Sequence, residues 1–225
     1  MRHFIVIEGL IGVGKTTLAR LLEREWGAQL VLEPASTNPF LEPFYRDPHR
    51  YALPVQVYYL LTRWQQQADI AQGDLFSEVV VSDYLFEKDR LFAEKTLPGE
   101  ELSIYSRLAD ALGVHAPTPD LVVFLDAPTE VILKRIEKRS APGEDVIEAA
   151  YLDDLRQRYW RLLDDWTDCP VLRLDNRDMD YAGDPAGQQA VLDTIRSALM
   201  SGSPVVSPGS ASDREDSPTL FGGVG

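Results

Sequence analysis

With 225 residues, 44% of them hydrophobic and 26% charged, the chain is long enough for one α/β domain with a sizeable core and a short tail. A formal net charge of −14 argues against nucleic acid or an anionic membrane as partner, so an anionic ligand must find a local pocket of Lys and Arg. No apolar run approaches the roughly 20 residues that span a bilayer, the N-terminus has no signal-peptide pattern, and the single Cys169 cannot close an internal disulfide; a cytoplasmic location is expected.

His3–Ile7 is a short apolar run that reads as a buried strand. Thr16–Trp26 places Leu18, Leu21, Leu22 and Trp26 at helical spacing, closed by Gly27. Gln29–Leu32 reads as a second strand ended by Glu33-Pro34, and 34–48 as a substrate-facing loop with short helical pieces. Pro54 suits the first turn of a helix that runs to about Gln72, with Gly73 as its stop. Glu78–Ser82 is a third strand, followed by helical stretches over about 84–95 and 100–112. Leu121–Leu125 is a fourth strand, Thr129–Arg139 a helix, 140–145 a break and 147–166 another helix. Val171–Leu174 is a fifth strand and 186–200 a final helix. Strands alternating with helices predict an α/β fold with a five-stranded parallel sheet flanked by helices. The domain is expected over 1–200; from Ser201 to 225, Ser, Gly, Pro and Asp dominate, and a disordered tail is expected.

Gly9-Leu10-Ile11-Gly12-Val13-Gly14-Lys15-Thr16 satisfies G-x-x-x-x-G-K-[ST] between a predicted strand and a predicted helix. Gly9, Gly12 and Gly14 let the backbone curl so that N–H groups, Val13 among them, face phosphate oxygens. The helix that follows adds its positive end. Lys15 would reach the β- and γ-phosphates of ATP and Thr16 would offer its hydroxyl to Mg²⁺, with Thr17 beside it. No N-K-x-D guanine reader occurs, which argues against a GTPase. Arg135 and Arg139 stand four apart on one helix face and lead into a Gly/Pro break, a candidate lid near 135–146 that would stabilise charge on a transferring phosphoryl group. The plainer reading is a solvated basic face pairing with Glu137 and nearby acids. Glu33 closes strand two, so a parallel sheet puts it at the carboxyl edge beside the phosphate loop. There a carboxylate could take the proton of an acceptor hydroxyl, or simply cap the next turn.

Further strings follow in order: Val31-Leu32-Glu33-Pro34, Asn38-Pro39-Phe40-Leu41, Phe44-Tyr45-Arg46-Asp47-Pro48, Val81-Ser82-Asp83-Tyr84, Ala127-Pro128-Thr129-Glu130 and Leu174-Asp175-Asn176 with Asp178 and Asp180. Tyr45 is followed eleven residues later by Gln56 and seven further by Arg63. Over about residues 3–181 this series resembles the deoxyribonucleoside kinases, particularly the bacterial deoxyadenosine/deoxyguanosine/deoxycytidine type. The resemblance implies Glu33 as general base, Tyr45 on the sugar 3′-hydroxyl, Gln56 as base reader supported by Arg63, and Asp83 with Thr16 near the metal and the 5′-hydroxyl. It implies an arginine lid at Arg135 and Arg139, an adenine-edge loop including Asp178, and a homodimer through helices near 54–72 and 100–112, although the apolar stripes there (Tyr58, Leu61; Ile104, Leu108) would equally serve one core. Phe40, Phe44, Tyr45 and Phe92 would stack the base or serve the core, and Asp89, which only accepts hydrogen bonds, would favour bases with an exocyclic amino group. Gln56 and Arg63 read equally as a solvated helix face, and Asp89 as a local partner of Arg90.

The sequence departs from the family pattern at several points. Tyr84 stands where the family carries an arginine, Ser140-Ala141 where it often has Gly-Arg, and Ala150 where an acid precedes Tyr151. That leaves Glu148 as the candidate 3′-hydroxyl partner. The expected activity is ATP-dependent phosphorylation of a deoxynucleoside 5′-hydroxyl in nucleotide salvage. Two rivals stay open: a thymidylate kinase, which would normally carry Asp-Gly after the first glycine pair where this chain has Leu10-Ile11, and a P-loop ATP-binding module without phosphotransfer.

Overall fold

A computed structural model describes residues 2–33, 35–72, 78–112, 117–177, 181, 183–202 and 205–206. β1 (His3–Gly9) and β4 (Leu121–Asp126) are apolar along nearly their whole length, and Ile5, Val6, Ile7 and Leu121 to Leu125 are all buried. A strand covered on both faces is what a parallel sheet flanked by helices demands. β1 pairs with β4 and with β3 (Val79–Ser82), β3 with β2 (Gln29–Val31), and β4 with β5 (Val171–Asp175), all parallel. The strand order β2-β3-β1-β4-β5 brings the carboxyl ends of all five strands to one edge, the usual place for ligands in such sheets.

The five expected strands are joined by a sixth. Val205–Val206 form β6, a two-residue parallel addition beside β5, inside the segment expected to be disordered; most of 203–225 lies outside the described residues. β2 stops at Val31, so Glu33 sits two residues past the strand and not at its end.

The helices are α1 (Lys15–Trp26), α2 (Leu41–Arg46), α3 (Pro48–Gln72), α4 (Lys88–Thr96), α5 (Gly99–Leu112), α6 (Thr129–Arg139), α7 (Ala149–Asp164) and α8 (Pro185–Ser201). α3 begins six residues earlier than expected because Pro48, not Pro54, takes the first position, leaving Pro54 inside the helix. Gly73, its expected stop, lies outside the described residues. The helix expected from residue 84 starts only at Lys88. The Tyr84 and Leu85 amides are taken by the Ser82 hydroxyl (3.3 Å) and the Glu8 carboxylate (2.7 Å), which holds a turn there. The main core surrounds the sheet, with Leu18 and Leu22 of α1, Leu155 and Tyr159 of α7 and Ile195 of α8. A second cluster, around Phe44, Val55, Tyr59, Leu60 and Tyr105, binds α2, α3 and α5 together. No helix among the described residues is long and apolar enough to cross a membrane.

Candidate active site

The phosphate loop runs from the end of β1 into α1. Gly9, Gly12 and Gly14 have φ of 147°, 80° and 110°, left-handed values that admit glycine readily. A side chain at Gly9 would also collide with the Leu125 carbonyl, at 2.3 Å from its Cβ. Lys15 bends back over this loop and donates to the carbonyls of Gly9 (2.7 Å) and Leu10 (3.1 Å). Burial lowers its pKa, an effect opposed by Glu8 and Glu33 and reinforced by Lys88. Val13 is fully buried, whereas Thr16 and Thr17 at the start of α1 are exposed.

One carboxylate ties this loop to the segment after β2. Asp83, just past β3, accepts the Thr16 hydroxyl on one oxygen (2.6 Å) and the Glu33 backbone N–H on the other (2.7 Å). Thr16 and Asp83 thus meet as two hard oxygen donors. Mg²⁺ binds with one or two such groups, substrate phosphates and retained waters, so this pair fits it. Among the described residues no group of three or more His, Cys, Asp and Glu could hold a metal alone.

The Glu33 side chain is 19% exposed and lies between two cations. Arg63 of α3 hydrogen-bonds Oε1, and Lys88 of α4 reaches Oε1 at 3.0 Å and Oε2 at 3.2 Å. Burial alone would raise the pKa of Glu33, but Arg63 and Lys88 together hold it well below the usual carboxylate range. Arg63 is itself fixed. It also pairs with Asp89 and lies over the rings of Tyr59 (4.7 Å) and Tyr84 (5.3 Å). Asp89 therefore pairs across helices with Arg63 and not with its neighbour Arg90, which bonds Glu94.

Gln56 forms a second rung of the same ladder, donating to Thr96 at 3.1 Å. Gln56 and Arg63 are seven apart on α3, as are Asp89 and Thr96 on α4, and seven residues is about two turns. Two pairings in reverse order mean that α3 and α4 lie antiparallel along this seam. Gln56 and Arg63 are buried at this seam, so neither belongs to a solvated helix face. Phe44 is buried beside Tyr45, with ring centroids 5.7 Å apart, and Phe92 meets Tyr159 edge-on at 6.5 Å.

Opposite stands the segment expected to act as a lid. Arg135 donates to the carbonyls of Val13 (3.2 Å) and Asn176 (2.8 Å), which binds α6 to the phosphate loop. Asn176 reinforces that junction by donating to the Val13 carbonyl and to Tyr181. Arg139 is paired with Glu144, its Nη2 lying 2.6 Å from each carboxylate oxygen. Glu148, the expected sugar partner, is exposed at the boundary of α7. Glu144, four residues earlier, lies close enough to Tyr45 to act on its hydroxyl. It starts a short 3-10 turn, Glu144–Val146, directly after Gly143, whose added Cβ would stand 3.0 Å from the Tyr45 ring. The Tyr45 hydroxyl is pushed up by burial first, and also by Tyr151 and Glu144. Asp178 lies outside the described residues.

Sequence reasoning missed Lys88 and Glu8. Glu8 is fully buried and accepts from Gly9 N (2.8 Å), Leu85 N (2.7 Å) and the Tyr159 hydroxyl (3.1 Å), so it fixes the loops after β1 and β3 to each other. A carboxylate immediately before the first glycine of the phosphate loop was the available signal. Lys88 gave none, because Glu87-Lys88-Asp89-Arg90 has the composition of a solvated turn.

The chain matches the family model for deoxynucleoside kinase over residues 5–200. It is 35% identical over 157 residues to the deoxyguanosine kinase of Bacillus subtilis (strain 168), covering 69% of this chain and 76% of that one. To the deoxyadenosine/deoxycytidine kinase of the same organism it is 30% identical over 202 residues, covering 87% and 92%. Its fold matches the structure of deoxyadenosine kinase from M. mycoides with bound dATP, with a TM-score of 0.72 over 86% of this chain and 99% of that one; at 21% identity this is a likeness of fold. The chain belongs to the deoxynucleoside kinase family and is a phosphotransferase acting on a hydroxyl acceptor.

Proposed function

We propose that the chain transfers the γ-phosphoryl group of ATP to the 5′-hydroxyl of a deoxynucleoside in nucleotide salvage, with deoxyadenosine, deoxyguanosine or deoxycytidine preferred over thymidine. The observation that carries this reading is the run Thr16–Asp83–Glu33, which joins the phosphate loop to a half-buried carboxylate through one aspartate. In the transfer, the 5′-oxygen forms a bond to the γ-phosphorus and its proton passes to a Glu33 oxygen. The bond from the γ-phosphorus to its bridging oxygen breaks, and the electron pair leaves on ADP. The transition state is loose, so the hydroxyl becomes acidic late and even a weakly basic carboxylate suffices. Lys15 and the loop amides hold the phosphates, and positioning with charge stabilisation supplies most of the rate. Magnesium held at Thr16 and Asp83 would offset phosphate charge.

Residues 135–146 serve as a lid on this reading. Arg139 exchanges Glu144 for a phosphate oxygen, while Arg135 anchors the lid helix to the loop and Glu144 with Tyr45 takes the sugar 3′-hydroxyl. The base lies against Phe44 and Phe92, where Gln56 and Asp89 supply the polar edge and favour an exocyclic amino group. Leu61 and Trp64 of α3 and Ile104 of α5 are exposed apolar side chains on adjacent helices, which supports a homodimer through that face. The lone, partly buried Cys169 supports a cytoplasmic setting.

Incubation with γ-labelled ATP and a panel of deoxynucleosides and their monophosphates tests the assignment. Label is expected in the monophosphate of deoxyadenosine, deoxyguanosine or deoxycytidine. Label appearing only in the diphosphate made from dTMP overturns it.

A further inference from the structure

Lys88 is a buried cation with no part in the chemistry described so far. Its side chain is 4% exposed, an arrangement rare for lysine unless it is paired. Glu8 lies 3.9 Å from Nζ, but its oxygens already accept three hydrogen bonds, so Lys88 is not needed to satisfy it. The short contacts of Lys88 both go to Glu33, one to each oxygen. Arg63, which also holds Glu33, is pinned by Asp89 and two tyrosine rings. The flexible lysine stem leaves Lys88 as the cation of this pair that can follow a moving charge. Tyr84, whose ring lies 5.8 Å from Nζ, carries no charge to do so.

We infer that Lys88 is a positioning residue for the transfer: it fixes the direction of the Glu33 carboxylate toward the acceptor hydroxyl and places a positive charge between that carboxylate and the phosphate loop. The inference rests on the reading of Glu33 as the base. Ground-state binding of either substrate gains little from Lys88, because its contacts are with the protein. Its effect falls on the step in which the proton reaches Glu33 and charge spreads over the phosphoryl oxygens. Loss of one preorganised charge of this kind costs about 10²–10³ in turnover.

The test is steady-state kinetics on the full chain with ATP, Mg²⁺ and the best deoxynucleoside, comparing Lys88→Met, Lys88→Arg, Glu33→Gln and the double variant Glu33→Gln/Lys88→Met. Lys88→Met is expected to lower kcat about 100-fold while KM for the nucleoside and Kd for ATP stay within about threefold. Lys88→Arg should return kcat to within about tenfold of wild type. On the Glu33→Gln background, Lys88→Met should cost less than about threefold more, since two residues that act as a unit are not additive. If Lys88→Met does not fold, the arginine variant and the double variant, which leaves no buried unpaired charge at this pair, still decide. A kcat for Lys88→Met within threefold of wild type, a rise in KM alone, or full additivity with Glu33→Gln overturns the inference. Full activity of Glu33→Gln instead removes the base assignment itself, a separate failure.

Discussion

Arg63 and Arg139 each hold a carboxylate, and they do so in opposite settings. Arg63 is buried and lies over two tyrosine rings, and it joins Glu33 to Asp89 across α3 and α4. Arg139 is 48% exposed and meets Glu144 only five residues on, within the segment proposed as a lid. A buried pair cannot be opened without stranding a charge, whereas a surface pair exchanges partners at little cost. The surroundings of Glu33 are therefore held in place, and Arg139 keeps its partner exchangeable. On the proposed mechanism that difference is useful, since the base must not move and the arginine must.

Breaking the buried side should do the most damage. Arg63→Met leaves Asp89 without its partner inside the protein and Glu33 with Lys88 alone, a change that costs about 3–5 kcal/mol. Thermal unfolding should show a drop in Tm on the order of 6–20 °C, and turnover should fall with it. Arg139→Ala should separate the two properties. Stability should change by less than about 1 kcal/mol, while kcat falls by about 10³ or more, as for other arginines that meet a transferring phosphoryl group.

Glu144→Gln should raise KM for a deoxynucleoside about 10–100-fold, the worth of a hydrogen bond to a charged group. It should leave KM for the 3′-deoxy analogue unchanged. Gly143→Ala puts a Cβ against Tyr45 at a φ of 80°, and about 1–2 kcal/mol of stability should be lost. Glu148→Gln, on an exposed helix boundary, should alter stability by less than about 0.5 kcal/mol and KM by less than about twofold. An effect of Glu148→Gln larger than that of Glu144→Gln would reverse the assignment of the sugar carboxylate.

The parts of this site that lie along one stretch of chain were legible beforehand. The phosphate loop needs only its own glycines, lysine and threonine, and the carboxyl edge of a parallel sheet follows from alternating strands and helices. The parts made between elements were not. The Gln56–Thr96 and Arg63–Asp89 rungs require α3 and α4 to pack, and no local pattern distinguishes Lys88 from an exposed neighbour such as Arg90. Glu144 and Glu148 are four residues apart, and only the fold of the break after α6 decides which of them comes near Tyr45. The late start of α4 has the same origin: Glu8, on another strand, takes the Leu85 amide that a helix would have used.

The most direct test replaces the carboxylate between Arg63 and Lys88 by its neutral isostere. With Glu33→Gln, single-turnover transfer from ATP to a deoxynucleoside should slow by about 10²–10⁴ while ATP affinity stays at the wild-type value. Transfer at the wild-type rate in that variant would contradict the account, since the proton of the acceptor would then be leaving by another route.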